Sequence, residues 1–230
     1  REPVGVVAAI VPWNAEMFLT ATKVGPALAA GNTVVIKASE EAPAPLLEFA
    51  DVVHEVGFPP GVINLITGFG EPCGRALTSH PLVSRVAFTG GVETARRVVE
   101  NTAQNFAHLS LELGGKSPIL IFDDADLEGA VNGAVAGNFG ASGQSCVAGS
   151  RVFVQAGIHD EFLEMLIRRA EAIRIGDPLH EDTQMGPLAT EAQRDRIEAV
   201  VAESREQGAT VHTGGKRPEG FDTGWYFEPT

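Results

Sequence analysis

Only two cysteines, Cys73 and Cys146, occur in the 230 residues, too few for a disulfide framework or, by themselves, for a zinc centre. That usage points to a reducing cytoplasmic setting and leaves at least one thiol free for chemistry. The histidines (His54, His80, His108, His159, His180 and His212) are scattered, with neither an HExxH motif nor a Cys/His ligand spacing, so no metal site is expected. A serine-hydrolase elbow, G-x-S-x-G, is absent too, since Gly140-Ala141-Ser142-Gly143 falls one residue short. No apolar run approaches the roughly 18–20 residues of a membrane span. No secretory leader is visible, in a chain that opens at Arg1 rather than Met. Basic side chains are outnumbered 17 to 30, giving a formal net charge of −13. Nucleic acid and anionic membrane are therefore excluded as main partners, because both would be repelled.

What is present is a pattern of short apolar runs alternating with helical periodicity. Residues 4–11, 32–37, 61–67, 83–88 and 109–113 read as strands, and 16–30, 43–56, 70–79 and 92–104 as the helices between them. Strands separated by helices predict a doubly wound parallel sheet, with ligands held beyond the carboxyl ends of its strands. The loops there hold Pro12-Trp13-Asn14, Lys37–Glu40, Gly68–Gly70 and Thr89-Gly90-Gly91. After Gly114-Gly115 the pattern restarts, with strands 117–122 and 151–155 and helices over 126–139, 158–175 and 190–207. Ile158, Phe162, Leu166 and Ile173 make the buried stripe of one helix, and Ile197, Val200 and Val201 that of the next. A domain boundary is placed near residue 114. Both ends read as cut, so each half is expected to be part of a larger domain.

The loop 140–150 is the sharpest chemical feature. Most of its residues are Gly, Ala or Ser around Cys146, which lets a ligand approach the backbone and keeps a thiol accessible. The local sequence alone suits a buried structural cysteine equally well. Cys73, at the start of a helix, reads as a small core filler. Glu112 lies within the apolar strand 109–113, where burial would raise its pKa toward the range of a general base; the alternative is an alternating strand whose polar face meets water, which the flanking Leu111 and Leu113 fit poorly. Gly68-Phe69-Gly70 and Thr89-Gly90-Gly91 are strand-to-helix turns whose amides suit a phosphate. Lys37 and Glu40 are placed to hydrogen-bond a ribose, with Ser39 between them. Each of these glycine and charge signals is weak alone.

Together the residues resemble the aldehyde dehydrogenase superfamily. The matching segments are Pro12-Trp13-Asn14, Lys37-Ala38-Ser39-Glu40, 57–70 (GFPPGVINLITGFG), Phe88-Thr89-Gly90, 111–118 (LELGGKSP), 139–146 (FGASGQSC), Gly186-Pro187-Leu188 and Phe227–Thr230. They follow the family's order and spacing over essentially the whole chain. The resemblance implies a Rossmann-like sheet over 1–114 that binds NAD, followed by part of an α/β catalytic domain over 115–230. It implies that Cys146 is the nucleophile, Asn14 an oxyanion-hole donor with the Cys146 amide, and Glu112 the base that hydrolyses a thioester. It assigns Trp13, Lys37, Ser39, Glu40, Gly70, Phe88, Thr89, Gly90, Gly91, Thr94 and Leu113 to the cofactor. Glu40 should repel a 2′-phosphate, favouring NAD while leaving NADP open.

Two positions depart from the family pattern: Gly91 where serine is usual, and Ala38 where proline is more common. The family is also about twice this length, and its second cofactor glutamate and oligomerisation strands would lie outside these residues. The resemblance implies a small-molecule aldehyde as substrate and a homodimer or homotetramer for the whole protein. Trp13, Met17, Phe18 and Phe139 are candidates for the substrate wall, and Met17 and Phe18 serve equally as core. A CoA-acylating enzyme and an inactive or merely cofactor-binding relic of the fold remain as alternatives, the first disfavoured by Glu112.

Overall fold

Val7, Ala9 and Val11 point to one side of the first strand, and Ala8 and Ile10 to the other, and all five are buried. A strand covered on both faces needs apolar residues at both parities, which is why its sequence is a continuous run. A computed structural model describes residues 2–230 and divides the chain into two units, one ending at Gly114 and the other beginning at Gly115.

The first unit is a five-stranded parallel sheet of β1 (Val6–Ile10), β2 (Thr33–Lys37), β3 (Ile63–Ile66), β4 (Val83–Gly90) and β5 (His108–Leu113), in the order β3-β2-β1-β4-β5. On one face, Val7, Ala9, Val34 and Ile36 pack against Val24 and Ala27 of α1 (Glu16–Ala29) and Leu46 of α2 (Ala44–Val56). On the other, Ala8, Ile10, Val86 and Phe88 meet Leu77 of α3 (Arg75–Thr78) and Ala95 and Val98 of α4 (Val92–Thr102). The chain order reverses on either side of β1, so the loops after β1, β2 and β4 are brought to one sheet end. The predicted helix 70–79 is broken: Glu71 is extended (φ −112°, ψ 123°), and regular helix begins only at Arg75. The cause is Pro72, which disfavours helical geometry in the residue before it.

The second unit pairs β6 (Pro118–Ile121) with β7 (Arg151–Val154) in parallel. Ile121 packs with Val131 and Ala134 of α5 (Leu127–Phe139) and Phe162 of α6 (His159–Glu171). The Asp126 side chain caps α5 by accepting from the Gly129 amide at 3.3 Å. The strands' outer face leaves Leu120, Phe122 and Phe153 exposed.

Two helical expectations are corrected here. The helix expected over 158–175 ends at Glu171, and Ile173 lies beyond it, because the chain turns to bridge Ile175 with Met185. In α7 (Glu191–Glu206) the most buried residue is Arg194, while Val200 is exposed. The Arg194 guanidinium reaches Glu191 at 3.0 Å and Asp195 at 2.7 Å and lies over the Trp225 ring, so ion pairing and an aromatic face replace aliphatic packing. Among the described residues, no helix is long and apolar enough to cross a membrane.

Candidate active site

All four loops singled out at the sheet's carboxyl end border one pocket of about 410 Å³ in the first unit. Trp13 comes from the turn after β1, Lys37, Ser39 and Glu40 from the end of β2, and Gly70 from the turn after β3. Phe88, Thr89, Gly90 and Gly91 come from β4 and its exit, and Thr94 from the first turn of α4. Leu113, Asn14 and Glu112 are not part of this lining.

Lys37 is buried, and its ammonium donates to the Ala38 carbonyl at 2.8 Å and to Glu40 Oε2 at 3.1 Å. Burial pushes the Glu40 pKa up, but a backbone N–H and the Lys37 ammonium outweigh it and hold the carboxyl below its ordinary value. At the other side of the pocket, a Cβ on Gly90 would stand 2.6 Å from Phe88 Cζ. The Phe88 ring folds over the backbone of Gly90, and only glycine permits that approach.

Glu112 stands on the sheet's edge strand, opposite Thr89 in the register of β4 and β5. The expected burial is not found: Glu112 is exposed. Its strand has a neighbour on one side only, so apolar flanking residues did not imply an enclosed side chain. The sequence reading missed Lys23. Its ammonium donates to Thr89 Oγ1 at 2.6 Å; burial lowers its pKa, and the charge of Glu112 opposes that shift. Thr89, Glu112 and Lys23 are thus gathered on one side of the sheet. The available signal was spacing, since Lys23 follows the buried Thr20 by three residues and precedes the buried Val24 and Ala27.

Asn14 is half-buried immediately ahead of α1. Met17 and Phe18, on the first turn of that helix, are exposed, which removes the core reading for both.

In the second unit Cys146 is exposed, so the buried structural reading of this thiol does not hold. Its loop is fastened at base and tip. At the base, Asn138 Nδ2 donates to the carbonyls of Ala134 and Gly149 at 2.9 and 3.1 Å. At the tip, Ser142 Oγ donates to the Gly186 carbonyl at 3.0 Å, and Gln144 Oε1 accepts from the Ala189 amide at 3.0 Å. Ala141 and Ser142 both take left-handed backbone conformations, φ 52° and 54°, which are uncommon for residues with a Cβ. Gly149 approaches Ile119 so closely that a Cβ would collide with that side chain. Cys73 is only half-buried rather than a core filler, with its sulfur 3.8 Å from the Thr67 carbonyl. Among the described residues, no group of three or more His, Cys, Asp or Glu side chains is placed to hold a metal ion.

The model of the Aldehyde dehydrogenase family matches residues 1–230. The chain belongs to that family. It is 58% identical over 230 residues to a (Z)-2-((N-methylformamido)methylene)-5-hydroxybutyrolactone dehydrogenase of Acinetobacter baylyi, with all of this chain and 47% of that relative covered. Its fold matches the betaine aldehyde dehydrogenase of Staphylococcus aureus in complex with NAD+, with a TM-score of 0.96 and 44% identity over 99% of this chain and 46% of that one. It also matches PnpE of Pseudomonas sp. WBC-3 in complex with nicotinamide adenine dinucleotide, with a TM-score of 0.97 and 47% identity over 100% of this chain and 47% of that one. The chain spans about half the length of the curated aldehyde dehydrogenase relatives it matches. Those likenesses establish the Rossmann-like α/β architecture expected of the family.

Proposed function

We propose that the protein containing this chain oxidises an aldehyde to its carboxylic acid with NAD, and that residues 1–114 bind the cofactor while 115–230 carry the nucleophile. The observation that carries the reading is the exposed Cys146 on its doubly fastened loop, within a chain that matches the family from end to end. NAD suits the pocket of the first unit. The Lys37–Glu40 pair offers one donor and one acceptor to a ribose diol, and the strand-to-helix turn at Gly90 and Gly91 borders the same pocket with backbone amides that would suit a diphosphate. When bound, NAD accepts the hydride released by the substrate.

This chain's residues perform the remaining work. The Cys146 thiolate adds to the aldehyde carbon; a C–S bond forms and the carbonyl π electrons move to oxygen. The Asn14 side-chain amide and the Cys146 backbone N–H donate to that oxyanion. Loss of hydride leaves a thioester on Cys146. Glu112 takes a proton from water, the resulting hydroxide adds to the thioester carbon, and the C–S bond breaks to return the thiolate. Lys23 is the positioning residue, anchored on Thr89 beside Glu112. The exposed Phe18 and Met17, close to Asn14 in sequence, are offered as part of the wall that receives the aldehyde's carbon chain. A cytoplasmic, homo-oligomeric enzyme is the setting we infer for the whole protein.

The test is intact-mass spectrometry of Glu112→Gln in the complete gene product, after incubation with NAD and a panel of aldehydes. The acyl group should accumulate on Cys146, require NAD, and vanish when Cys146→Ala is added. Absence of an adduct in a variant whose parent still forms NADH would remove Glu112 from the role of base. A CoA-acylating enzyme would instead release acyl-CoA in proportion to added coenzyme A.

A further inference from the structure

The turn that leads into Cys146 runs against the preference of its own residues. Ala141, Ser142 and Gly143 are all left-handed, with φ of 52°, 54° and 73°. Gly143 takes that conformation freely. The other two carry a Cβ that crowds the following carbonyl, and such residues enter this region singly rather than in runs. A turn of this kind persists only where its surroundings over-determine it. Local bonds do part of that work: the Gln144 backbone N–H donates to the Ala141 carbonyl at 3.1 Å, and the Gln144 side-chain amide to the same oxygen at 3.3 Å.

Ser142 ties the turn to a distant part of the same unit. Its half-buried side chain donates through the hydroxyl to the Gly186 carbonyl, 44 positions away, at 3.0 Å. The segment that receives this bond is itself fixed on both sides of Gly186. Ahead of it, the Met185 N–H donates to the Arg174 carbonyl and the Met185 carbonyl accepts from the Gly176 N–H, each at 3.1 Å. After it, the Leu188 N–H donates to the Trp225 carbonyl at 2.9 Å, and Met185 and Leu188 are both buried. Close packing does not replace the Ser142 bond, because a pocket of about 340 Å³ borders Ser142, Gly143, Met185 and Gly186.

Only Ser145 separates the fastened Gln144 from Cys146, so the thiol moves with the turn. Cys146 is exposed, and burial of its own side chain therefore does not supply its placement. Nucleophilic attack needs the reacting atoms held within a narrow range of distance and angle. A displacement of about 1 Å costs on the order of a hundredfold in rate.

We propose that Ser142 is a positioning residue for Cys146: by bonding the Gly186 carbonyl it holds a left-handed turn that the local sequence disfavours, and so sets the direction from which the thiolate meets the aldehyde. The inference rests on the reading of Cys146 as the nucleophile. It makes the segment 185–188 part of the apparatus that aims the thiol, although none of its side chains reacts. Ser142 acts on the rate only through the loop.

Three variants of the complete gene product separate the bond from the backbone conformation. Ser142→Ala removes the hydroxyl and keeps the strain, and Ser142→Gly removes both. Ser142→Asn tolerates a left-handed φ and supplies an amide N–H in place of the hydroxyl. With NAD and the most rapidly oxidised member of the aldehyde panel, kcat should fall about tenfold or more in Ser142→Ala and Ser142→Gly. It should return to within about threefold of the parent in Ser142→Asn, with KM for NAD within about twofold throughout. Alkylation of Cys146 by iodoacetamide without aldehyde, read by intact mass, should keep its pH midpoint and hold its limiting rate within about twofold, because a small electrophile meets an exposed thiol from any direction. Unchanged kcat in either Ser142→Ala or Ser142→Gly would overturn the proposal. So would an alkylation rate that falls in step with kcat, since Ser142 would then govern the thiol's ionisation or the folding of the loop rather than its aim. Ser142→Asn as slow as Ser142→Ala would count against it equally, leaving side-chain size as the cause. Turnover that survives Cys146→Ala would instead remove the nucleophile reading, and this inference with it, whatever the Ser142 variants do.

Discussion

Lys23 Nζ donates to Thr89 Oγ1 at 2.6 Å across 66 positions of sequence, fixing a helix to the sheet on the side where Glu112 stands. A cation held there depends on pH. Burial lowers the lysine pKa below 10.5 and the Glu112 charge only partly restores it, so the ammonium is lost earlier on the alkaline side than in free lysine. Turnover should decline over that range. Lys23→Arg should carry the decline to higher pH, because a guanidinium keeps its charge. Lys23→Met should reduce kcat about tenfold with KM for NAD nearly unchanged. The pH dependence of kcat in the three proteins checks this, and an alkaline limb that ignores Lys23→Arg would contradict it.

Glu40 titrates in the opposite direction. Its carboxyl is held below 4.5 in the folded chain, so its favourable contribution is full above that value and is lost as pH falls through the lowered pKa. Affinity for NAD+ should stay level from neutrality to about pH 5 and weaken only in stronger acid. Glu40→Gln should weaken NAD+ about tenfold at neutral pH by removing a charged acceptor. Calorimetric titrations across pH supply both readings, and loss of affinity already near neutrality would count against Glu40 as the ribose acceptor.

Gly149 sets the base of the cysteine loop against Ile119, with no room for a Cβ. Gly149→Ala should cost about 1–3 kcal/mol through overpacking. Adding Ile119→Val, which removes the nearest methyl, should recover part of that loss. Denaturant unfolding of the single and double variants measures the coupling. Simple additivity of the two substitutions would show that the contact is not what constrains the loop.

Much of the architecture was legible because it rests on periodicity. The strand cores around Val7, Val34 and Val86 are apolar at both parities, and the restart after Gly114-Gly115 coincides with the division between units. Ten of the residues assigned by resemblance line one pocket, so the convergence of their loops was legible through motif order. Side-chain environment was harder to read. Glu112 looked enclosed because its neighbours are leucines, yet its strand is an edge. Val200 was assigned to a buried stripe but is exposed, while Arg194 on the same helix is buried against two carboxylates and an indole ring. Lys23 escaped notice because its partners are remote in sequence. Helix ends failed where they depended on single events, the break at Pro72 and the bridge from Ile175 to Met185.

The outer face of β6 and β7 bears on how these 230 residues behave when produced alone. Leu120, Phe122 and Phe153 present an oily surface to water, while a net charge of −13 keeps molecules apart. That repulsion is screened beyond about 10 Å at 0.1 M salt, whereas attraction between apolar faces is not. Colloidal stability should therefore fall as salt is added, and low ionic strength is the condition in which concentrated solutions stay clear.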